Sequence, residues 1–305
     1  MASQEKKDAE LIKNAIEGKA DENSLINIAG KRKHIERMKI RSEYKAMFGK
    51  DLMSDLNSEL TGNFKKLMLA LFTDPVEYDI DCINQAIKEG GIDEDTLIEI
   101  FASRPSWYLN KIKNKYKEKY KIELEEDIMD DTSNSFQKLL VKLLHCERNI
   151  NKNPDQNECK KFAKELYDAG EKKLGIDEDI FNKIFVMSSP HELIMISREY
   201  HKLAGTLLTT AIDREFSRDV KKLLKSILYG IISPSEYFAA RIHDAVNGGT
   251  NEKILTRIIV TRAEIDLDKI KGYYHTLYGE DMLEDIKNGV SGDYKSLLMA
   301  ICNLA

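Results

Sequence analysis

Ile40-Arg41-Ser42-Glu43-Tyr44 returns in outline as Ile112-Lys113-Asn114-Lys115-Tyr116, Ile196-Ser197-Arg198-Glu199-Tyr200 and Ile270-Lys271-Gly272-Tyr273-Tyr274. The same register carries Ile28, Ile100, Ile184 and Ile258; Leu25, Leu97, Phe181 and Leu255; and Leu67, Leu139, Leu223 and Leu297. Self-similarity at fixed offsets marks a repeat architecture, and four copies are present. An Ile and a Tyr four residues apart share one face of a helix, as do Leu25 and Ile28 or Tyr44 and Met47, and no strand-like alternation competes. Breaks at Gly18, Arg32-Lys33, Gly49-Lys50 and Thr61-Gly62 predict about five short helices per copy. Thr61, Ser133, Ser217 and Ser291 are expected to cap the last helix of each. The fold class expected is therefore all-α.

Composition agrees with that reading. The 305 residues are 42% hydrophobic and 32% charged with only 5 Pro, enough apolar material for sizeable cores and few helix breakers. Lys and Arg number 47 against 52 Asp and Glu, a dense mixture of signs netting -5, which disfavours nucleic acid as a partner. The longest apolar runs, 67–72 and 297–302, are far below the ~20 residues that cross a bilayer. The opening Met1-Ala2-Ser3-Gln4 has neither a secretory apolar stretch nor a myristoylation start, so a cytoplasmic address is expected. Cys82, Cys146, Cys159 and Cys302 show no metal or redox spacing and are expected as buried thiols. The boundaries expected are a tail at 1–8, copies at 9–73, 74–148, 158–232 and 233–305, and a polar linker at 149–157 dividing two halves. Eight residues are too few for a tail of the helix-in-groove kind.

Each copy opens on a loop ending in an acid or amide followed by Glu: Asp21-Glu22, Asp93-Glu94, Asp177-Glu178 and Asn251-Glu252, with Gly just before in every case. At 37 residues beyond each Glu stand Glu59, Asp131, Glu215 and Gly289, so three copies carry a carboxylate there.

This arrangement resembles the annexin family, from about Ala9 to Cys302. The likeness rests on the four copies and on close local matches: Phe48-Gly49-Lys50-Asp51-Leu52 with Ser58-Glu59-Leu60-Thr61-Gly62, Ala169-Gly170-Glu171-Lys172-Lys173-Leu174-Gly175, Arg262-Ala263-Glu264-Ile265-Asp266-Leu267, and Ser291-Gly292-Asp293-Tyr294-Lys295. It implies four annexin-type repeats forming a curved disc, monomeric in solution, that binds acidic phospholipid membrane through Ca2+ as a peripheral protein of cytoplasmic faces. The patchy ligand set is also similar to that of the divergent protist annexins, the alpha-giardins. That likeness implies the alternative of a cytoskeleton-associated scaffold with weak or lost calcium dependence. The physics of the site is general: Ca2+ takes six to eight oxygens at about 2.3–2.6 Å, and a short loop of inward carbonyls plus one bidentate carboxylate leaves positions open for phosphate.

Carried across position by position, the resemblance implies unequal sites. In the third copy the carbonyls of Gly170, Lys173 and Gly175 would act with Glu215; the alternative is a simple interhelical turn with Glu215 favouring a helix N-terminus. In the second, those of Ile87, Glu89 and Gly91 would act with Asp131, although Glu89 stands where the family has glycine. In the first, Ile16 and Gly18 would act with Glu59, in a loop one residue short with Ala20 in place of Thr. The fourth keeps Gly248-Gly249-Thr250 but has Gly289 for the acid, so no tight site is expected. Ser188 replaces the basic residue seen as Arg32, Arg104 and Arg262, which puts the interhelical hydrogen bonds of the third copy in question.

Nothing motivates an enzyme. The six His never form HExxH or a metal pair at one helical turn, Ser291 lies outside a full GxSxG, and no GxGxxG or GxxxxGK[ST] loop occurs. Trp107, the sole Trp, is expected to pack at a helix start, and the basic runs at 31–34 and 111–121 read as solvated helix faces.

Overall fold

The computed structural model describes residues 3–18, 20–88, 92–131, 134–145, 148, 150–170 and 177–303. Among these, every regular element is a helix, five to a copy. The first copy holds α1 (Gln4–Ile16), α2 (Glu22–Ala29), α3 (His34–Phe48), α4 (Leu52–Glu59) and α5 (Gly62–Leu71). The second holds α6 (Pro75–Lys88), α7 (Glu94–Ser103), α8 (Ser106–Tyr120), α9 (Leu124–Asp131) and α10 (Asn134–His145). The third holds α11 (Gln156–Gly170), α12 (Glu178–Met187), α13 (Pro190–Ala204), α14 (Leu208–Glu215) and α15 (Arg218–Ile232). The fourth holds α16 (Pro234–Val246), α17 (Glu252–Arg262), α18 (Leu267–Tyr278), α19 (Met282–Gly289) and α20 (Gly292–Cys302).

The repeated residues make the core. Ile40, Ile112, Ile196, Ile270 and their four tyrosines are all fully buried, each aliphatic side chain contributing about 1.5–3 kcal/mol relative to exposure. A buried phenol needs a partner. Tyr44, Tyr116 and Tyr274 donate to Asp55, Asp127 and Asp285 at 2.6, 2.6 and 2.7 Å, tying the third helix of the copy to the fourth. The third copy has Ala211 at that offset, and Tyr200 packs beside Tyr167 at 6.4 Å between ring centroids. Cys82, Cys159 and Cys302 are buried thiols outside any disulfide, and burial pushes the Cys159 and Cys302 thiols up to about 11 and about 12, so both stay protonated at neutral pH. Cys146 lies outside the described residues.

The helices form two compact units, and their membership corrects the expected division at 149–157. One unit is Met1–Tyr78 with Ser235–Ala305, the other Asp79–Pro234. In the first, α5 packs on α17 and α20, and α2 on α20; in the second, α7 packs on α15 and α10 on α12. The polar stretch at 149–157 therefore runs inside the second unit, joining α10 to α11. A linker-like composition reported a connection between copies, not which copies share a core.

A bidentate ion pair lies within each of the first two copies. Arg32 donates to Asp8 at 2.6 and 3.1 Å, and Arg104 to Asp79 at 2.7 and 3.1 Å. The corresponding partners in the fourth copy are Arg262 and Phe238: the guanidinium lies 4.6 Å over the ring and pairs with Asp266 at 2.7 Å. In the third copy both members change, to Ser188 and Phe162. The interhelical bonding questioned there is supplied differently, with Arg148 donating to the Ser188 carbonyl at 3.2 Å.

Thr61, Ser217 and Ser291 occupy the cap positions expected of them, yet none makes a side-chain cap hydrogen bond. Ser133 lies outside the described residues. The cause is local: the residue after each cap turns left-handed, Gly62 at φ 63°, Gly292 at φ 61° and Arg218 at φ 48°. Glycine takes that conformation freely, whereas an L-residue is disfavoured by roughly 1–2 kcal/mol. Arg218→Gly should therefore raise stability by roughly 0.5–1 kcal/mol, the relief less the added freedom of the unfolded chain. The urea midpoint checks this, and a lower midpoint would refute the strain.

Candidate calcium loop

Four loops join the first helix of each copy to the second, and each is closed by one backbone hydrogen bond. Asp21 N–H donates to the Ala15 carbonyl at 2.8 Å, Asp93 to Ala86 at 2.8 Å, Asp177 to Ala169 at 3.2 Å and Asn251 to Ala245 at 2.7 Å. These closures show the first and fourth loops to be the shortest and the third the longest, the second lying between. A longer loop can turn more carbonyls inward before the next helix begins.

In the first, second and fourth copies the recurring acid or amide caps that next helix through its side chain. Asp21 accepts from Ser24 N–H at 3.2 Å, Asp93 from Thr96 at 3.0 Å and Asn251 from Ile254 at 3.1 Å. The Ser24 hydroxyl first, then its backbone N–H, holds Asp21 below the usual carboxylate range. The contribution of that cap is thus present at neutral pH and fades as the pH falls through the lowered pKa.

The third copy brings two of its expected ligands together. Gly170 ends α11 and Glu215 ends α14, and a Cβ built on Gly170 would lie 3.5 Å from Glu215 Cγ and 3.8 Å from its carboxyl carbon. The side chain of Glu215 is half-buried and lies against the glycine backbone from which the loop departs. Lys173 and Gly175 lie outside the described residues. Oxygen donors of this kind, backbone carbonyl and carboxylate, fit a hard divalent cation.

In the second copy Ile87 is buried at the end of α6 and Asp131 closes α9, while Glu89, Gly91 and the side chain of Asp131 lie outside the described residues. In the first, Ile16 is buried, Gly18 is left-handed at φ 86°, and exposed Glu59 accepts from Ser58 Oγ at 3.3 Å. The donors exist, in one of the shortest loops.

The fourth loop does not fit a cation. Thr250 Oγ1 donates to the Gly289 carbonyl at 2.7 Å, and a Cβ on Gly289 would come within 2.6 Å of that hydroxyl. The place of the carboxylate is closed by a hydroxyl. Gly289→Glu alone should create no calcium site and should cost about 1 kcal/mol through the broken hydrogen bond. Combined with Thr250→Gly it should add one bound ion, counted by equilibrium dialysis; an added ion in the single variant would refute the closure.

Glu94, Glu178 and Asp219 were missed as neighbours of Glu215. With it they line a cavity of about 440 Å3 in the second unit, beside Ser135 and Arg218. Glu94 and Glu178 share a register in the repeat, which is the signal that could have found them. Among the described residues no group of three or more His, Cys, Asp or Glu is set to hold a metal. No helix among them is long and apolar enough to cross a membrane.

Five helices repeated four times, with an interhelical loop in the third copy opposed by a carboxylate from the fourth helix of that copy, define an all-α repeat protein. The annexin family profile matches residues 7–71, 78–143, 161–227 and 237–301. The chain belongs to the annexin family. It is 39% identical to annexin A11 of Mus musculus over 298 residues, 97% of this chain and 59% of that protein, so it spans well under two thirds of that relative. Annexin III superposes with a TM-score of 0.96 at 36% identity, covering 98% of this chain and 94% of that one. Calcium-bound annexin (Sm)1 superposes at 0.85 with 28% identity, covering 98% and 90%. Membership implies calcium-dependent phospholipid binding in general, and annexins are generally non-enzymatic.

Proposed function

We propose that this chain docks on acidic phospholipid through Ca2+ held chiefly in its third copy, with the second contributing, as a peripheral, non-enzymatic protein of cytoplasmic membrane faces. The observation that carries this is the Glu215 carboxyl set against Gly170 at the mouth of the longest loop. Gly170, Lys173 and Gly175 would supply carbonyls and Glu215 the carboxylate. Ile87, Glu89, Gly91 and Asp131 form the second set; Ile16, Gly18 and Glu59 form a weaker one. A bound ion supplies two positive charges facing the headgroups, so a chain of net charge -5 can meet an anionic surface. The protein remains monomeric until it reaches that surface.

Sedimentation with phosphatidylserine-containing vesicles tests the reading. The protein should pellet with Ca2+, return to the supernatant with chelator, and ignore vesicles of phosphatidylcholine alone. Calcium-independent pelleting, or binding to microtubules without calcium, would instead favour the scaffold alternative.

A further inference from the structure

The same helices that present the Glu215 loop at their N-terminal ends enclose a second cavity at their C-terminal ends. It lies within the second unit, measures about 690 Å3, and is reached by the last turns of α7, α10, α12 and α15. That volume suits a small molecule. Its floor is apolar, formed by buried Phe101, Leu109, Leu143, Leu144 and Val186.

The first unit shows why it is open. At the positions matching Leu109 and Pro190 it has Arg37 and Glu264, which pair at 3.5 Å, and the Glu264 carboxylate also accepts from His34 N–H at 2.6 Å. The cavity lined by that pair is smaller, about 440 Å3, and carries acidic Glu264, Asp266 and Asp268. Exchange of an ion pair for Leu and Pro removes the plug and leaves apolar walls.

The charged side chains in the described lining of the larger cavity are of one sign. Its described lining includes Arg104, Lys113, His145 and Arg148 and no carboxylate. Arg104 is neutralised by Asp79 and His145 is paired with Glu125, while Arg148 donates to the Ser188 carbonyl. Lys113, half-buried, forms no ion pair with a described residue. Trp107 stands at the mouth, 62% exposed and not packed as its place at a helix start suggested, with Lys111 over its ring at 5.0 Å.

We propose that this cavity binds a small amphiphile with an apolar body and one anionic group, the body against Leu109, Leu143 and Val186 and the anion beside Lys113. An apolar floor removes chain surface from water, and a single-sign rim selects the charge of the head. This site does not depend on the calcium reading, because it lies at the other ends of the helices and is bound without metal.

Trp107 is the only Trp of the chain, so its emission reports directly on the site. The probes are decanoate, decanol and decyltrimethylammonium, each below its micellar concentration and in the presence of chelator, followed by Trp107 emission and by calorimetry. Decanoate should bind saturably at one per chain, about tenfold tighter than the cationic amphiphile. Lys113→Glu should reverse that preference, while Arg41→Glu, the matching position in the first unit, should leave it unchanged. Circular dichroism establishes that each variant is folded. Binding without saturation in both readouts, equal affinity for the three probes, or Lys113→Glu without effect would overturn the proposal.

Discussion

Asp79→Ala should lower the stability of the protein by about 3–5 kcal/mol, because it strands a buried guanidinium. The Asp79 side chain is wholly buried and that of Arg104 is 7% exposed, and the two meet through paired hydrogen bonds. Burial alone would work against the charge of Arg104, yet Asp79 holds its pKa above the ordinary value, so the guanidinium keeps its charge wherever the protein folds. Removing the carboxylate leaves that buried charge without its counterion, with the neutral Ser103 hydroxyl at 2.9 Å as an acceptor. The fourth copy shows what compensation requires: where Phe238 replaces the acid, Arg262 keeps both an aromatic face and Asp266. Alanine offers neither. Urea unfolding followed through Trp107 measures the effect, and a loss below about 1 kcal/mol would show that the guanidinium is not stranded without Asp79.

Glu215→Gln should weaken calcium binding in the third copy by at least about a hundredfold while leaving the fold intact. The change keeps shape and removes charge and bidentate chelation, the features that set calcium affinity when most donors are neutral carbonyls. Loss of an outer-shell partner alone costs a metal site about 10–100-fold, so loss of the one charged ligand should cost no less. Half-buried Glu215 has room for an amide, so unfolding should not confuse the result. Calcium titration with acidic vesicles present is the measurement; an unchanged affinity would remove Glu215 from the site. Gly170→Ala is the gentler companion, since its new methyl would sit in ordinary contact with Glu215 at 3.5 Å.

Much of this was legible in sequence because a repeat reports itself four times. Ile40 with Tyr44, and their three copies, located the cores; the breaks at Gly18, Arg32-Lys33 and Gly49-Lys50 fell between the observed helices, and Thr61-Gly62 fell at the start of α5. The pairing of copies was not legible. The contacts of α5 with α17 and of α2 with α20 join residues over 180 apart, and no local pattern encodes them. The caps misled for a related reason: Thr61, Ser217 and Ser291 have the right chemistry, but a left-handed residue next to each turns the helix N–H groups elsewhere. At the candidate site, the offset between loop and acid pointed to Gly170 and Glu215. The loss of the acid at Gly289 was also plain. What no spacing revealed was that Thr250 would fill the gap, since that depends on a hydroxyl meeting a carbonyl across 39 residues.

The most direct test is a crystal of this protein grown in saturating Ca2+. The account predicts an ion between the Gly170 carbonyl and both carboxylate oxygens of Glu215 at about 2.3–2.6 Å, with no ion at the Thr250–Gly289 closure. A third-copy loop without an ion under those conditions, with Glu215 hydrogen-bonded elsewhere, would contradict it.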